Sequence, residues 1–227
     1  MSGLELGSLD RDGALREAAS ALPATTRRAF LARAGAGAAG ALVAGLAAAG
    51  TGRAQGGSDA SILNYALTLE YLQAAFYTEA ERLGALGGIA ARAAGQIGAV
   101  ERAHVDALRT ALGADAVARP AFDFQDTTAN DDAFLRTAVA FEDLGTAAYK
   151  GQLGNLRSRE YLAAALSIHS VEARHAAWIR YLAGRAPAAD AVDEPISRSE
   201  AERIVASTGF IVSSPATTSD RAPSFTG

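Results

Sequence analysis

The chain has 227 residues, 49% of them hydrophobic, and contains no cysteine. This length suffices for one domain with a sizeable core, so a single domain with tails is expected. Without cysteine, disulfides and thiolate chemistry are excluded, and any metal must be held by nitrogen and oxygen. A formal net charge of −4 without a basic stripe argues against nucleic acid as a partner.

The first 57 residues have the pattern of an export signal followed by a linker. Thr26-Arg27-Arg28-Ala29-Phe30-Leu31 precedes an apolar stretch, from about Gly35 to Gly50, and small residues follow near Ala54. The hexapeptide resembles the twin-arginine signal of bacteria, with Thr where Ser is commoner. We therefore expect export to the periplasm or the extracellular space by the twin-arginine machinery, with cleavage near Ala54. Retention of the stretch as a membrane anchor is the open alternative, although it is short and weakly hydrophobic.

Four later segments have the periodicity of amphipathic helices, because apolar residues recur at steps of three and four along one stripe. The pattern predicts helices over residues 61–83, 89–112, 131–156 and 158–183. Short connections within the first and second pairs predict antiparallel neighbours. Residues 113–130 are long enough to cross the length of a bundle.

Acidic residues and histidines interrupt the apolar stripe of every one of these helices. Rotating a helix by about 100° to expose its glutamate would also expose neighbouring Leu, Ile or Tyr residues, so the polar side chains are expected to face inward. The stripes carry Glu70, Glu101 with His104, Glu142, and Glu172 with His175. Buried acids in such a set must share something positive.

The two halves of this region repeat each other. Tyr77 follows Glu70 by seven residues in "LEYLQAAFY", and Tyr149 follows Glu142 by seven in "FEDLGTAAY". The sequence thus predicts an all-α protein, an antiparallel four-helix bundle over residues 58–184 with one long crossover between helices 2 and 3. In the tail, 185–227, a Ser197-x-x-Glu200 signal predicts a short helix to about Ser207 that docks through Ile204 and Val205. Residues 213–227 are predicted to be disordered.

One glutamate from each of two helices, and Glu-x-x-His from each of the other two, resembles the di-iron carboxylate site of ferritin-like bundles. More narrowly, the tail "DAVDEPISRSEAERIVASTGFI" is similar to exported ferritin-like proteins related to desiccation-associated proteins. The resemblance implies two divalent metal ions, iron or manganese. In that pattern Glu101 and Glu172 bridge, Glu70 and Glu142 cap one metal each, and His104 and His175 bind terminally.

Several functions follow from such a site. The first is redox chemistry on dioxygen or peroxide, of the oxidase, peroxidase or catalase type, with a role in stress protection. The alternatives are metal binding without turnover, by an iron-sequestering or structural stress protein that forms a homo-oligomer, and metals that merely hold the bundle together. Whether the protein is an enzyme stays open at this point.

Other polar residues near the stripes allow two interpretations. Tyr77 and Tyr149 either donate hydrogen bonds to ligands or take part in electron transfer, or they are core residues with satisfied hydroxyls. His169 is expected on the flank of its helix, and Trp178 in packing at the bundle end. Gln73, Asp106 and Asp143 are possible hydrogen-bond partners of the ligands, although a surface position is expected for each.

Overall fold

The computed structural model describes residues 57–212, which form five α-helices and a small two-stranded sheet. The helices are α1 (Gly57–Leu83), α2 (Gly88–Leu112), α3 (Asp131–Leu153), α4 (Arg159–Leu182) and α5 (Arg198–Thr208), and the strands are β1 (Ala121–Phe122) and β2 (Ile211–Val212). The predicted export signal and the predicted disorder of residues 213–227 lie outside the described residues.

The first four helices form the predicted all-α, ferritin-like bundle, with one long crossover between α2 and α3. α1 packs chiefly on α2, and α3 chiefly on α4, while smaller contacts of α1 with α3 and of α2 with α4 join the pairs. Each pair therefore corresponds to one copy of the sequence repeat.

None of the helices within residues 57–212 combines the length and the apolar character needed to span a membrane.

Side-chain caps define the starts of three helices. Asn130, Ser158 and Ser197 each accept a hydrogen bond from the backbone N–H three residues later. α3 was predicted to reach Leu156 but ends at Leu153, because the chain there tightens into turns with Asn155 N–H bonded to Gln152 O and Leu156 N–H to Leu153 O. This tightening leaves Leu156 buried against the bundle.

The crossover and the tail meet on the side of the bundle, beside α1 and α3. β1 pairs with β2 in antiparallel register, Ala121 with Val212 and Phe122 with Ile211. Phe124 and Phe210 beside these strands pack with Phe76 and Phe141, with ring centroids 5.5 to 6.4 Å apart. An aromatic cluster thus fixes the long crossover on the bundle.

α5 docks on the bundle through a different pair of residues than predicted. Ala201 and Val205 are buried, whereas Ile204 is 38% exposed. Positions 201 and 205 are four apart and share one face of a helix, while position 204 points away from Val205 by about 100°. The expectation for Val205 is confirmed, and that for Ile204 is wrong.

α1 begins at Gly57, earlier than the predicted Ser61, and its first turn is tied to the start of α4. Asp59 is fully buried, and its two carboxylate oxygens accept the backbone N–H groups of Arg157 and Ser158 at 3.1 and 2.9 Å. These two charge-assisted hydrogen bonds join the two halves of the bundle.

We expect Asp59→Ala to lower the free energy of unfolding by about 3 kcal/mol, since two buried backbone donors would lose their acceptor. Chemical denaturation followed by circular dichroism measures the change. Asp115→Ala, at an exposed aspartate, is the matched control and should change stability by no more than about 0.5 kcal/mol. Equal stabilities of the two variants would contradict the structural role of Asp59.

Candidate metal centre

The six predicted ligands come from all four helices of the bundle and meet in its interior. Glu70, Glu101, Glu142 and Glu172 have no exposed surface, and His104 and His175 are 3% and 8% exposed. Because each helix is rigid, the residues on its inward face keep fixed positions along the length of the bundle. The inward orientation predicted from the periodicity is therefore found for all six side chains.

The six residues form two overlapping groups, each with ligand atoms within 4.8 Å of one another. One group contains Glu70 and His104, the other Glu142 and His175, and both contain Glu101 and Glu172. Either group could hold a metal ion. The sharing of Glu101 and Glu172 is the arrangement that bridging carboxylates require.

Distances inside the cluster place Glu101 between the two histidines. Its Oε1 lies 2.8 Å from His175 Nδ1, and its Oε2 lies 3.3 Å from His104 Nδ1. His104 Nδ1 also lies 3.1 Å from Glu172 Oε1 and 3.3 Å from Glu70 Oε2. Each imidazole thus faces carboxylates from both halves of the repeat.

Tyr77 and Tyr149 each hold one oxygen of a buried glutamate. The Tyr77 hydroxyl donates to Glu142 Oε1, and the Tyr149 hydroxyl donates to Glu70 Oε1, each at 2.5 Å. The bonds cross between the halves, so each tyrosine orients the glutamate of the other repeat. Both tyrosines are buried in the core with satisfied hydroxyls, and the partners of those hydroxyls are the glutamates.

Five buried atoms of the cluster make no hydrogen bond among the described residues. They are Glu70 Oε2, Glu101 Oε1, Glu142 Oε2, Glu172 Oε1 and His175 Nδ1. The 2.8 Å approach of Glu101 Oε1 to His175 Nδ1 is a close contact without hydrogen-bond geometry. Buried carboxylate oxygens without a partner are costly, because desolvation of a charged group is repaid only by a donor or a cation. These oxygens and the imidazole nitrogen form a donor set that fits hard or borderline divalent cations.

The pKa values of these groups reflect burial and mutual repulsion. Burial raises the pKa of Glu70 to about 7, against the influence of His104, and burial raises that of Glu142 to about 6, against the influence of His175. Burial lowers the pKa of His175, but the carboxylates of Glu101 and Glu142 outweigh it and raise this pKa to about 10. In the absence of cations the cluster therefore retains protons near neutral pH, and metal ions must displace them.

The two tyrosines remain neutral donors. Burial, followed by the charge of the neighbouring carboxylate, holds the pKa of Tyr77 and that of Tyr149 well above the ordinary phenol value. A protonated hydroxyl can donate to a carboxylate but cannot replace it as an anionic ligand.

Gln73 also belongs to the site, although the sequence assigned it to the surface. It is 3% exposed, and its amide Nε2 donates to Glu172 Oε2 at 3.2 Å. The equivalent position in the second repeat is Gly145, where an added Cβ would lie 2.9 Å from Glu172 Oε2 and 3.3 Å from the Gln73 amide. The amide thus occupies space that Gly145 leaves open, and the repeat is asymmetric here.

The remaining candidates lie away from the cluster. Asp143 pairs with Arg180 through two 2.7 Å hydrogen bonds, and Asp106 is exposed. His169 is half-buried and lies in neither group of ligand atoms. Trp178 is partly buried and packs against the hydrophobic core, as expected from the sequence.

Comparison with known families agrees with this architecture. The family model for the ferritin-like domain matches residues 58–185, and the chain belongs to this family. A comparison with curated proteins found no match.

We expect Gln73→Met to weaken Mn²⁺ binding about tenfold to one hundredfold, because loss of a hydrogen bond to a ligating carboxylate typically has this effect. The methionine keeps the volume of the side chain but cannot donate to Glu172. Titration in competition with a chelator measures the affinity. Gln96→Met, at an exposed glutamine of α2, should bind like the parent protein, and the same affinity in both variants would contradict the role of Gln73.

Proposed function

We propose that the protein holds a dinuclear iron or manganese centre that reacts with dioxygen or peroxide. Glu101 and Glu172 would bridge the two ions, Glu70 and Glu142 would cap one each, and His104 and His175 would bind terminally. The observation that carries the proposal is the convergence of unpartnered buried carboxylate oxygens on one interior point.

Charge supports a pair of ions rather than one. The four glutamates contribute four negative charges when ionised, and two divalent cations contribute four positive charges. A single divalent cation would leave two of these charges to be compensated by protons on the glutamates or imidazoles, whereas two cations compensate all four without any proton.

The donor chemistry narrows the choice of metal. Carboxylate oxygens outnumber imidazole nitrogens, and the sequence has no cysteine, so the site lacks the soft ligands that favour copper(I) or structural zinc. Iron and manganese suit such a mixed oxygen and nitrogen set. Bound to these residues, either metal would supply reversible one-electron redox chemistry and Lewis acidity.

The side chains of this protein would contribute orientation and shielding. Tyr77 and Tyr149 fix the capping glutamates through their hydroxyl protons, and Gln73 fixes Glu172. Full burial of the four carboxylates keeps bulk water from competing for the ions. Six protein ligands do not saturate two ions, so positions stay open for an oxygen species.

We expect Glu101→Ala to lose the metal pair and peroxide consumption together, with the helical circular dichroism signal retained. Glu101 belongs to both ligand groups, so its removal affects both ions. Metal analysis of protein from its own host and an oxygen-electrode peroxide assay are the measurements. Glu81→Ala, on the surface of α1 beside Arg102, is the control and should keep both properties.

The same measurements separate the alternatives. Unchanged turnover in Glu101→Ala would remove the redox proposal. A metal-loaded protein that consumes neither peroxide nor dioxygen, but melts lower after chelation, would indicate metals that only stabilise the fold. Iron storage would instead require a large hollow oligomer, which size-exclusion chromatography detects.

We further propose that the protein is exported by the twin-arginine machinery and protects the cell envelope from oxidative stress. Arg27 and Arg28 before an apolar stretch support export, and the similarity of the tail to relatives of desiccation-associated proteins supports a stress role. Conversion of both arginines to lysine should leave the protein in the cytoplasm upon cell fractionation. Lysine at Arg33 alone is the control, and export of the double variant would contradict the proposal.

A further inference from the structure

A groove of about 460 Å³ lies over the seam between α3 and α4. Its floor comes from these two helices, and residues 187–194 of the connection to α5 form its other wall. Lys150 Nζ donates to the backbone carbonyl of Asp193, and Ile196 N–H donates to Ala147 O at 3.2 Å, which hold this segment beside the bundle.

The floor of the groove is the stripe of residues next to the metal ligands. Ala173 follows Glu172 and Ala176 follows His175 on α4, and Thr146 follows Gly145 on α3. A residue one position further along a helix is rotated by about 100°, so these side chains line the seam just outside the ligands. Four of the helical residues that line the groove are alanines, so the side chains between the two helices are small on this face.

Two polar groups on this side of the site lack partners. Thr146 is 5% exposed, and its hydroxyl has no hydrogen-bond partner in the described part of the chain. His175 is the more exposed of the two histidines, at 8% against 3% for His104, and its Nδ1 is also unpartnered. A path from the groove to the ligands would pass the Thr146 hydroxyl and then the His175 imidazole.

The first repeat has an equivalent groove of about 310 Å³ between α1 and α2, and it differs in shape and charge. Arg102 and Val105 stand where the second repeat has Ala173 and Ala176, so bulkier side chains cover the site on that side. The charged residues that line it are Arg102, Arg109, Arg119 and Asp106.

The groove between α3 and α4 carries the opposite charge. Its lining includes Asp143, Asp190, Asp193 and Glu194, with Arg180 as the cation. Asp143 neutralises Arg180 through two 2.7 Å hydrogen bonds. The Lys150 ammonium on the Asp193 carbonyl offsets one of the three acids of the wall, so the groove keeps a formal net charge of −2. A cleft lined mainly by one sign of charge concentrates ions of the other sign.

We propose that the groove between α3 and α4 is the access route by which divalent cations reach the metal centre. The proposal rests on the metal centre described under the proposed function. Asp190, Asp193 and Glu194 gather the cation, the Thr146 hydroxyl offers it an oxygen ligand in transit, and His175 receives it.

The charge on the wall is tested by the rate of metal uptake. Co²⁺ alone is mixed with metal-free, full-length protein in a stopped-flow instrument, and quenching of the fluorescence of Trp178, three residues from His175, reports arrival. We expect the variant Asp190→Asn, Asp193→Asn, Glu194→Gln to take up Co²⁺ about tenfold more slowly at low ionic strength, because steering is lost. The number of Co²⁺ ions bound at equilibrium should not change.

A control with the same change of net charge separates local steering from a general effect. Asp106→Asn, Asp115→Asn and Asp126→Asn neutralise three exposed acids outside the groove. This control should keep the uptake rate of the parent protein. Equal slowing in both triple variants would overturn the proposal.

Ala176→Val tests the path itself, because it introduces the residue of the equivalent position in the first repeat. An obstacle in an access route slows uptake and chelator-driven release by the same factor, so the dissociation constant stays constant while both rates fall severalfold. Val105→Ala, the reverse change in the other groove, should leave both rates unchanged. Unchanged rates in Ala176→Val and in the acidic triple variant would overturn the access route, whereas a parent protein that binds no Co²⁺ would overturn the metal centre itself.

Discussion

The burial of four carboxylates at one point is the constraint on which the rest of the structure depends. A carboxylate without exposure must be neutralised or paired, because its desolvation costs several kcal/mol. The cluster satisfies part of this requirement with two tyrosine hydroxyls and one glutamine amide on its outer side. The inner oxygens make no hydrogen bond among the described residues, and together with the two imidazoles they could hold cations. Placement of the ligands in the middle of long helices keeps these groups at fixed separations, so the site is organised before any ion arrives.

The internal repeat explains how one chain builds such a centre, and its departures explain why the centre is not symmetric. Both halves supply a capping glutamate, a Glu-x-x-His pair and a tyrosine that crosses to the other half. The halves differ where Gln73 faces Gly145, since only Glu172 receives an amide donor. They differ again on the outside, where arginines line one groove and acids the other. Shared residue types with divergent surroundings give the two candidate ligand groups similar composition but unequal hydrogen bonding.

The sequence predicts most of the fold and the buried cluster of glutamates and histidines, because both depend on short spacings within a helix. The steps of three and four place Glu101 and His104 on one face whatever the rest of the chain does. Spacing within a helix could not place Gln73 beside Glu172, because these two residues lie 99 positions apart in the chain and only the packing of the bundle brings them together. The predicted docking of Ile204 was wrong for a related reason. Ile204 and Val205 are adjacent apolar residues in a short helix, and the sequence does not show which of them faces the bundle. Strands of two residues, such as β1 and β2, carry no periodicity from which their pairing could be read.

Tyr77 connects the packing of the bundle with the geometry of the site. Its ring makes edge contacts with Phe76 and Phe134, at centroid distances of 5.3 and 5.8 Å, while its hydroxyl holds Glu142. Aromatic contacts of this kind are directional, so the position of the hydroxyl is determined by the cluster that also anchors the crossover. The crossover therefore also affects the site. Phe124 of the crossover packs on Phe76, and the next residue, Tyr77, orients the carboxylate of Glu142. In this bundle the aromatic cluster beside α1 and α3 and the charged interior are parts of one packed unit, and the position of Glu142 Oε1 depends on both.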